Sequence, residues 1–140
     1  MSATAEMRIQ LRRMIAEPTP RHYNDDQLDT YIEAHPLHDL DGNSPYMEDT
    51  DGSLITNPDW TATYDLNATA ADIWLEKAGR SAEDNYDMQE SSGGKQLWRG
   101  RSAITKNAMQ MHRMYSARRA AKSTRVHVSD NPNSLEELTT

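Results

Sequence analysis

The chain has 140 residues, a net charge of −7, no cysteine, no phenylalanine and eight methionines; these bound it to one domain with a thin, adaptable core and exclude disulfides and thiolate metal sites. The start at Met1 to Glu6 is neither basic nor apolar, and the longest apolar clusters, such as Ala70 to Leu75, are interrupted by Asp72, so the chain reads as soluble and not secreted. The charge is divided between two regions. Glu17 to Glu90 carries eighteen carboxylates against Arg21, Lys77 and Arg80, whereas Ser91 to Ser129 carries nine cations and no Asp or Glu. A surface polarised in this way attracts its own copies head to tail or a second charged partner.

Met7, Leu11, Met14 and Ile15 recur at helical spacing with Arg8, Arg12 and Arg13 between them, which predicts a first helix from Ala3 to Ala16, ended by Pro18 and Pro20. Asn24, with Gln27 three residues on and Asp25 and Asp26 in the first turn, has the form of a capping box. The helix it opens buries Leu28, Tyr31 and Ile32 and ends near Ala34, because Pro36 disfavours the helical region for His35. From Pro36 to Asp59 periodicity is lost among Gly42, Pro45, Gly52, Pro58 and clustered carboxylates and amides. This predicts one long loop, with Tyr46, Met47, Leu54 and Ile55 as anchor points on the body or on a neighbour.

Tyr64, Ala68, Ala71, Leu75, Ala78 and Ala82 fall at steps of three and four, flanked by Ile73 and Trp74. They predict a long helix with a close-packing seam of small residues, and an opposite face made acidic by Asp65, Asp72, Glu76, Glu83 and Asp84. Gly79 weakens that helix by about 1 kcal/mol relative to alanine. Its end is expected near Tyr86, followed by a polar turn over Asp87 to Gly94. A last helix, N-capped by Ser102, runs through Ile104, Ala108, Met111 and Tyr115 to Ala121 with a cationic exposed face. Residues 122–140, with alternating Val126, His127 and Val128 and then Asp130, Glu136 and Glu137, read as an extended tail. The expected architecture is therefore all-α, with about four helices in a domain over 1–121, the 36–59 loop and a C-terminal tail.

Chemical motifs are weak throughout. Asp39, Asp41 and Asn43, and separately Asp49, Asp51 and Gly52, resemble the opening of calcium loops, but the sixth and twelfth positions hold Ser44 and Thr50 in one frame, Leu54 and Trp60 in the other. His35 and His38 lack a third zinc ligand, and His112 is read as a helix-face residue. Gly93, Gly94 and Lys95 lack the spacing of a phosphate loop, and no nucleophile is placed in a recognisable turn. No catalytic, cofactor or metal residue is assigned, and the chain is read as no enzyme. Lys106, Arg113, Arg118, Arg119, Lys122 and Arg125, with Tyr115 nearby, suit phosphate contacts, a plain solvated helix face, or protein contacts to acidic surfaces. An acidic body repels a polyanion that comes within the screening length of about 8 Å, which favours the protein reading. The alternative is a small helical nucleic-acid-binding or DNA-packaging accessory protein.

The order of four segments carries a family resemblance. MIAEP at Met14 to Pro18, NDDQLDTYIEA at Asn24 to Ala34, the alanine-rich YDLNATAADIWLEKAGRSAEDNYDM at Tyr64 to Met88, and RSAITKNAMQMHRMYSARR at Arg101 to Arg119 together resemble the head-tail connector, or adaptor, proteins of tailed bacteriophages. The resemblance implies a non-enzymatic virion neck protein, assembled in the host cytoplasm. Such proteins form a homo-oligomeric ring, commonly of twelve copies, beneath the portal protein, receive a stopper or tail-completion protein, and continue a channel through which DNA passes without specific binding. On this chain it implies a portal or subunit interface over Arg113, Arg118, Arg119, Lys122, Arg125, Val126 and Val128, with the two valines adding an edge strand to a neighbouring sheet. It implies a channel or subunit face drawn from Asp65, Asp72, Glu76, Glu83 and Asp84.

Overall fold

A computed structural model describes residues 3–91 and 95–120, with the backbone alone for 84–91 and 95–102. Helix α1 (Ala5–Met14) begins where Thr4 Oγ1 accepts the Met7 N–H at 3.3 Å, and Glu6 and Arg12–Arg13 lie at the ends of the dipole that suit them. It stops before the prolines. Ala16 adopts φ 55°, the Ala16 N–H reaches the Arg13 carbonyl (3.4 Å) and the Glu17 N–H reaches the Arg12 carbonyl (3.0 Å). That is a Schellman end, with alanine in the left-handed position that glycine usually fills.

The link to the next helix is organised by one side chain. The Arg12 guanidinium donates to the carbonyls of Glu17 (3.3 Å), Thr19 (3.1 Å) and Tyr23 (3.0 Å) and pairs with Asp25 at 2.7 Å. Helix α2 (Asp25–Glu33) has the expected capping box, Gln27 N–H to Asn24 Oδ1 at 2.8 Å and Asn24 N–H to Gln27 Oε1 at 2.9 Å. Leu28 and Ile32 are fully buried and Tyr31 partly so.

The segment expected to be one long loop contains a hairpin. Strands β1 (Tyr46–Glu48) and β2 (Leu54–Thr56) pair antiparallel, Met47 opposite Ile55. The intervening turn closes with Asp49 N–H to Ser53 O (2.8 Å) and Gly52 N–H to Asp49 O (2.9 Å), Gly52 taking φ +82°. The signal was hidden because short strands of two exposed faces leave no alternation. All six strand residues are exposed, so Tyr46, Met47, Leu54 and Ile55 do not anchor the segment in the core. Anchoring comes instead from Asp39, whose carboxylate accepts the N–H groups of Asp41 (3.0 Å), Asn43 (2.8 Å) and Thr61 (2.9 Å) and the Asn43 amide (3.1 Å). The loop ends are stitched together by Leu37 N–H to Thr63 O and Asp65 N–H to His35 O, both 2.8 Å. Asp39 is therefore occupied as a loop hub, and its carboxyl is held below the usual range chiefly by the Thr61 N–H.

Helix α3 (Leu66–Ser91) runs unbroken through Gly79 and ends later than Tyr86. Helix α4 (Lys95–Arg118) starts before Ser102, which lies inside it rather than at its cap. Asp87 to Ser91 continue α3, because extending a formed helix is far easier than starting one. The two form an antiparallel hairpin, tied by Ser81 to Thr105 at 2.7 Å and by His112 Nδ1 donating to the Ala71 carbonyl at 2.7 Å. Ala68, Ala70, Ala71, Ile73, Trp74 and Ala78 are buried, whereas Leu75 and Ala82 of the expected seam are exposed. The stripe is broader than one seam because α3 packs on α1 and α2 as well as on α4. Leu11, Ile15, Tyr23, Leu28, Ile32 and Ile73 form the centre of the core. The α1 end rests on α3, where Trp74 Nε1–H donates to Met14 O (3.0 Å) and Lys77 Nζ to Ile15 O (2.6 Å) and Glu17 (2.8 Å), placing a cation at the negative helix end. The described residues are thus mainly helical, four helices with one small hairpin. Residues 122–140 lie outside the described residues.

Candidate interaction surface

The acidic residues named from sequence have separate fates. Asp65 is only 7% exposed. Its Oδ1 accepts the Ala68 N–H at 3.0 Å, capping α3, and its Oδ2 accepts the Ala120 N–H at 2.8 Å. It clasps the start of α3 to the chain just beyond α4 and does not lie on an acidic outer face. The missed signal was its position: an aspartate three residues before Ala68 at the start of a helical pattern is an N-cap. Asp72 is exposed and meets His35 Nε2 at 2.6 Å. Glu76 accepts the Tyr31 hydroxyl and pairs with Arg80 one turn on. The hydrogen bond to Glu76, together with burial and the Glu76 charge, pushes the Tyr31 phenol up to about 12. Glu83 is exposed, and the side chain of Asp84 lies outside the described residues.

The exposed stripe of α4 is Ala103, Lys106, Gln110, Arg113 and Ala117, residues that recur every three or four positions and so share one face. Arg118 is exposed and Arg119 half-buried near the same end. Among the described residues none of Lys106, Arg113, Arg118 and Arg119 joins an ion pair. The carboxylates of the body behave oppositely. Asp25 is held by Arg8 (3.3 Å) and Arg12 (2.7 Å), Asp29 by Arg8 (3.1 Å) and Glu17 by Lys77. Asp49 and Asp51 accept turn N–H groups. Lys122, Arg125, Val126 and Val128 lie outside the described residues.

Residues far apart in sequence meet beside the hairpin. Tyr46, Trp60 and Tyr64, with Pro36, Pro45, Thr56 and Glu33, wall a pocket of about 240 Å³ beside the hairpin. Trp60 donates its indole N–H to the Leu37 carbonyl at 2.8 Å and meets Tyr64 edge-on, ring centres 5.6 Å apart. Burial raises the Tyr64 phenol, and Glu33 and Tyr46 raise it further. No spacing rule joins residues 33, 46, 60 and 64; the loop closure between His35 and Asp65 brings them together.

Among the described residues no group of three or more His, Asp or Glu converges as a metal site, and no helix is long and apolar enough to cross a membrane. Comparison with protein-family models, with curated proteins and with solved structures returns no match.

Proposed function

We propose that the chain is a structural subunit of a tailed-bacteriophage neck, a ring below the portal that joins head to tail and continues the DNA channel. The observation that carries this reading is the division of labour among charges. The body's carboxylates largely serve caps, turns and intramolecular pairs, while Lys106, Arg113 and Arg118 stand exposed without an ion pair among the described residues. Cations left over on one rigid helix are addressed to another molecule, and a repeated heterologous contact that closes by rotation gives a ring. The resemblance in the order of the helical segments supplies the kind of ring and its partners: the portal on one side, a stopper or tail-completion protein on the other.

The test is native mass spectrometry of the chain alone and mixed with the portal ring of the same virion. A ring-sized species, or a fixed copy number captured on the portal, is expected. Reversal of Arg118 and Arg119 to glutamate is expected to reduce that capture. A chain that stays monomeric with portal present, yet binds non-specific DNA with a steep salt dependence, would replace this reading with the nucleic-acid one.

A further inference from the structure

We infer that the pocket walled by Tyr46, Trp60, Tyr64 and Glu33 is a socket for a cationic side chain, and that its occupant is Arg113 on the α4 stripe of a second copy. The inference rests on the ring reading and names the contact by which neighbouring subunits would recognise each other.

Size comes first. At about 240 Å³ the pocket falls below the roughly 300–1,000 Å³ of cavities that take small-molecule ligands, and suits one long side chain. Its chemistry comes second. Three aromatic rings and two prolines form the wall, and Glu33 is its charged group. Aromatic rings attract a cation through their negative faces, arginine more often than lysine, and a carboxylate at the rim adds direct attraction. Glu33 Oε1 accepts the Ala3 N–H at 3.2 Å, which leaves the carboxylate further acceptor capacity. Rigidity comes third. Trp60 is fixed by its bond to Leu37 and by the loop closure at His35 and Asp65, so the socket is preformed.

The occupant follows from charge complementarity. The hairpin beside the socket carries the exposed Glu48, which with Glu33 in the wall gives this side a negative charge that selects a basic face. The α4 stripe supplies one, with Lys106 and Arg113 on the same side about 10 Å apart at 1.5 Å per residue. Arginine is the better stacking partner, which singles out Arg113. Arg118 of the same chain lines a different groove, with Met7 and Asn67, that also touches Tyr64. A socket on one subunit and a plug on the next is a heterologous contact that every copy of a ring repeats.

The experiment is ring assembly on the portal, read by native mass spectrometry for wild type, Glu33→Lys, Arg113→Glu and the double exchange, each checked for an unchanged thermal melt. Each single reversal is expected to lower the assembled fraction about tenfold, and the double exchange to recover most of it, as coupled partners do. Because the chain has no cysteine, Glu33→Cys with Arg113→Cys adds a second readout: a short bis-maleimide should give a ladder of linked subunits that neither single variant gives. Tyr46→Ala, which alters an exposed wall, should weaken assembly without unfolding. If wild type forms no ring, the neck reading falls and this inference with it. If wild type assembles and the reversals are harmless, or the double exchange is no better than the singles, the socket assignment alone is overturned. Intact rings that lose the tail-side protein would likewise overturn it, since the cation would then come from a different chain.

Discussion

Asp65 tests whether the α3–α4 hairpin is held as described, because each carboxylate oxygen has its own assignment. Oδ1 caps α3 at Ala68, and Oδ2 holds the Ala120 N–H beyond α4. Removing an N-cap costs about 1 kcal/mol, and losing a hydrogen bond to a charged acceptor costs about 1.5 kcal/mol more. Asp65→Ala should therefore destabilise by about 2–3 kcal/mol, which for a domain of this size lowers Tm by roughly 10 °C. Asp65→Asn separates the two parts. Asparagine caps as well as aspartate, but its single oxygen cannot serve both donors, so only about half of the loss should appear. Urea unfolding of both variants at neutral pH measures the split. An alanine variant within 0.5 kcal/mol of wild type, or an asparagine variant as damaged as the alanine one, would refute the clasp.

Glycine and alanine occupy the wrong one of two places, and exchanging each should stabilise. Ala16 stands at φ 55° and Gly79 stands inside α3 with nothing within 4 Å of an added Cβ, so Ala16→Gly and Gly79→Ala should each gain about 0.5–1 kcal/mol in thermal or urea unfolding. Arg12→Lys should lose about 2 kcal/mol despite keeping the charge, because an ammonium cannot reproduce the planar fork that reaches the Glu17, Thr19 and Tyr23 carbonyls; a neutral result would show that the link folds without it. Tyr31 donates to Glu76, and that bond with burial pushes its phenol up to about 12, above the ordinary value of about 10. A folded pKa raised above the unfolded one gives stability that is fully present below about pH 10 and lost as pH climbs towards 12. Ultraviolet titration should find this late phenol in wild type and a lower one in Glu76→Gln.

The local grammar of the chain was readable wherever neighbours in sequence are neighbours in space. The capping box at Asn24 and Gln27 and the buried positions Leu11, Ile15, Leu28 and Ile32 follow from short-range rules, and they stand as expected. The errors arise where distant segments decide. Leu75 and Ala82 fit the heptad-like seam but are exposed, because α3 is covered from two sides by α1, α2 and α4 and the buried stripe shifts to Ala70, Ile73 and Trp74. The polar run Asp87 to Ser91 reads as a turn and is helix, since extending a formed helix is far easier than starting one. The 36–59 segment looked structureless because its order comes from Asp39, one carboxylate that gathers N–H groups from Asp41, Asn43 and Thr61. No periodicity announces such a hub. The aromatic socket was illegible for the same reason, its residues being joined only after the loop closes.

The division of charge that dominates the sequence therefore has two separate physical origins. Carboxylates accumulate in the body because caps, turns and loop hubs need acceptors: Asp25 faces Arg8 and Arg12, Asp39 and Asp51 gather N–H groups, Asp65 clasps a hairpin and Glu17 holds Lys77. These groups act within the chain. The described α4 cations show no comparable internal role, since Lys106 and Arg113 lie on an exposed stripe and join no ion pair among the described residues. It follows that neutralising Asp39 or Asp65 should move the unfolding curve and leave the assembly behaviour of the still-folded protein unchanged. Replacing Lys106 and Arg113 by alanine should do the reverse. Sites that far apart in role should combine additively, so a triple variant that loses more stability than Asp65→Ala alone would mean that α4 charges support the fold as well, and would weaken the case that they are reserved for a partner.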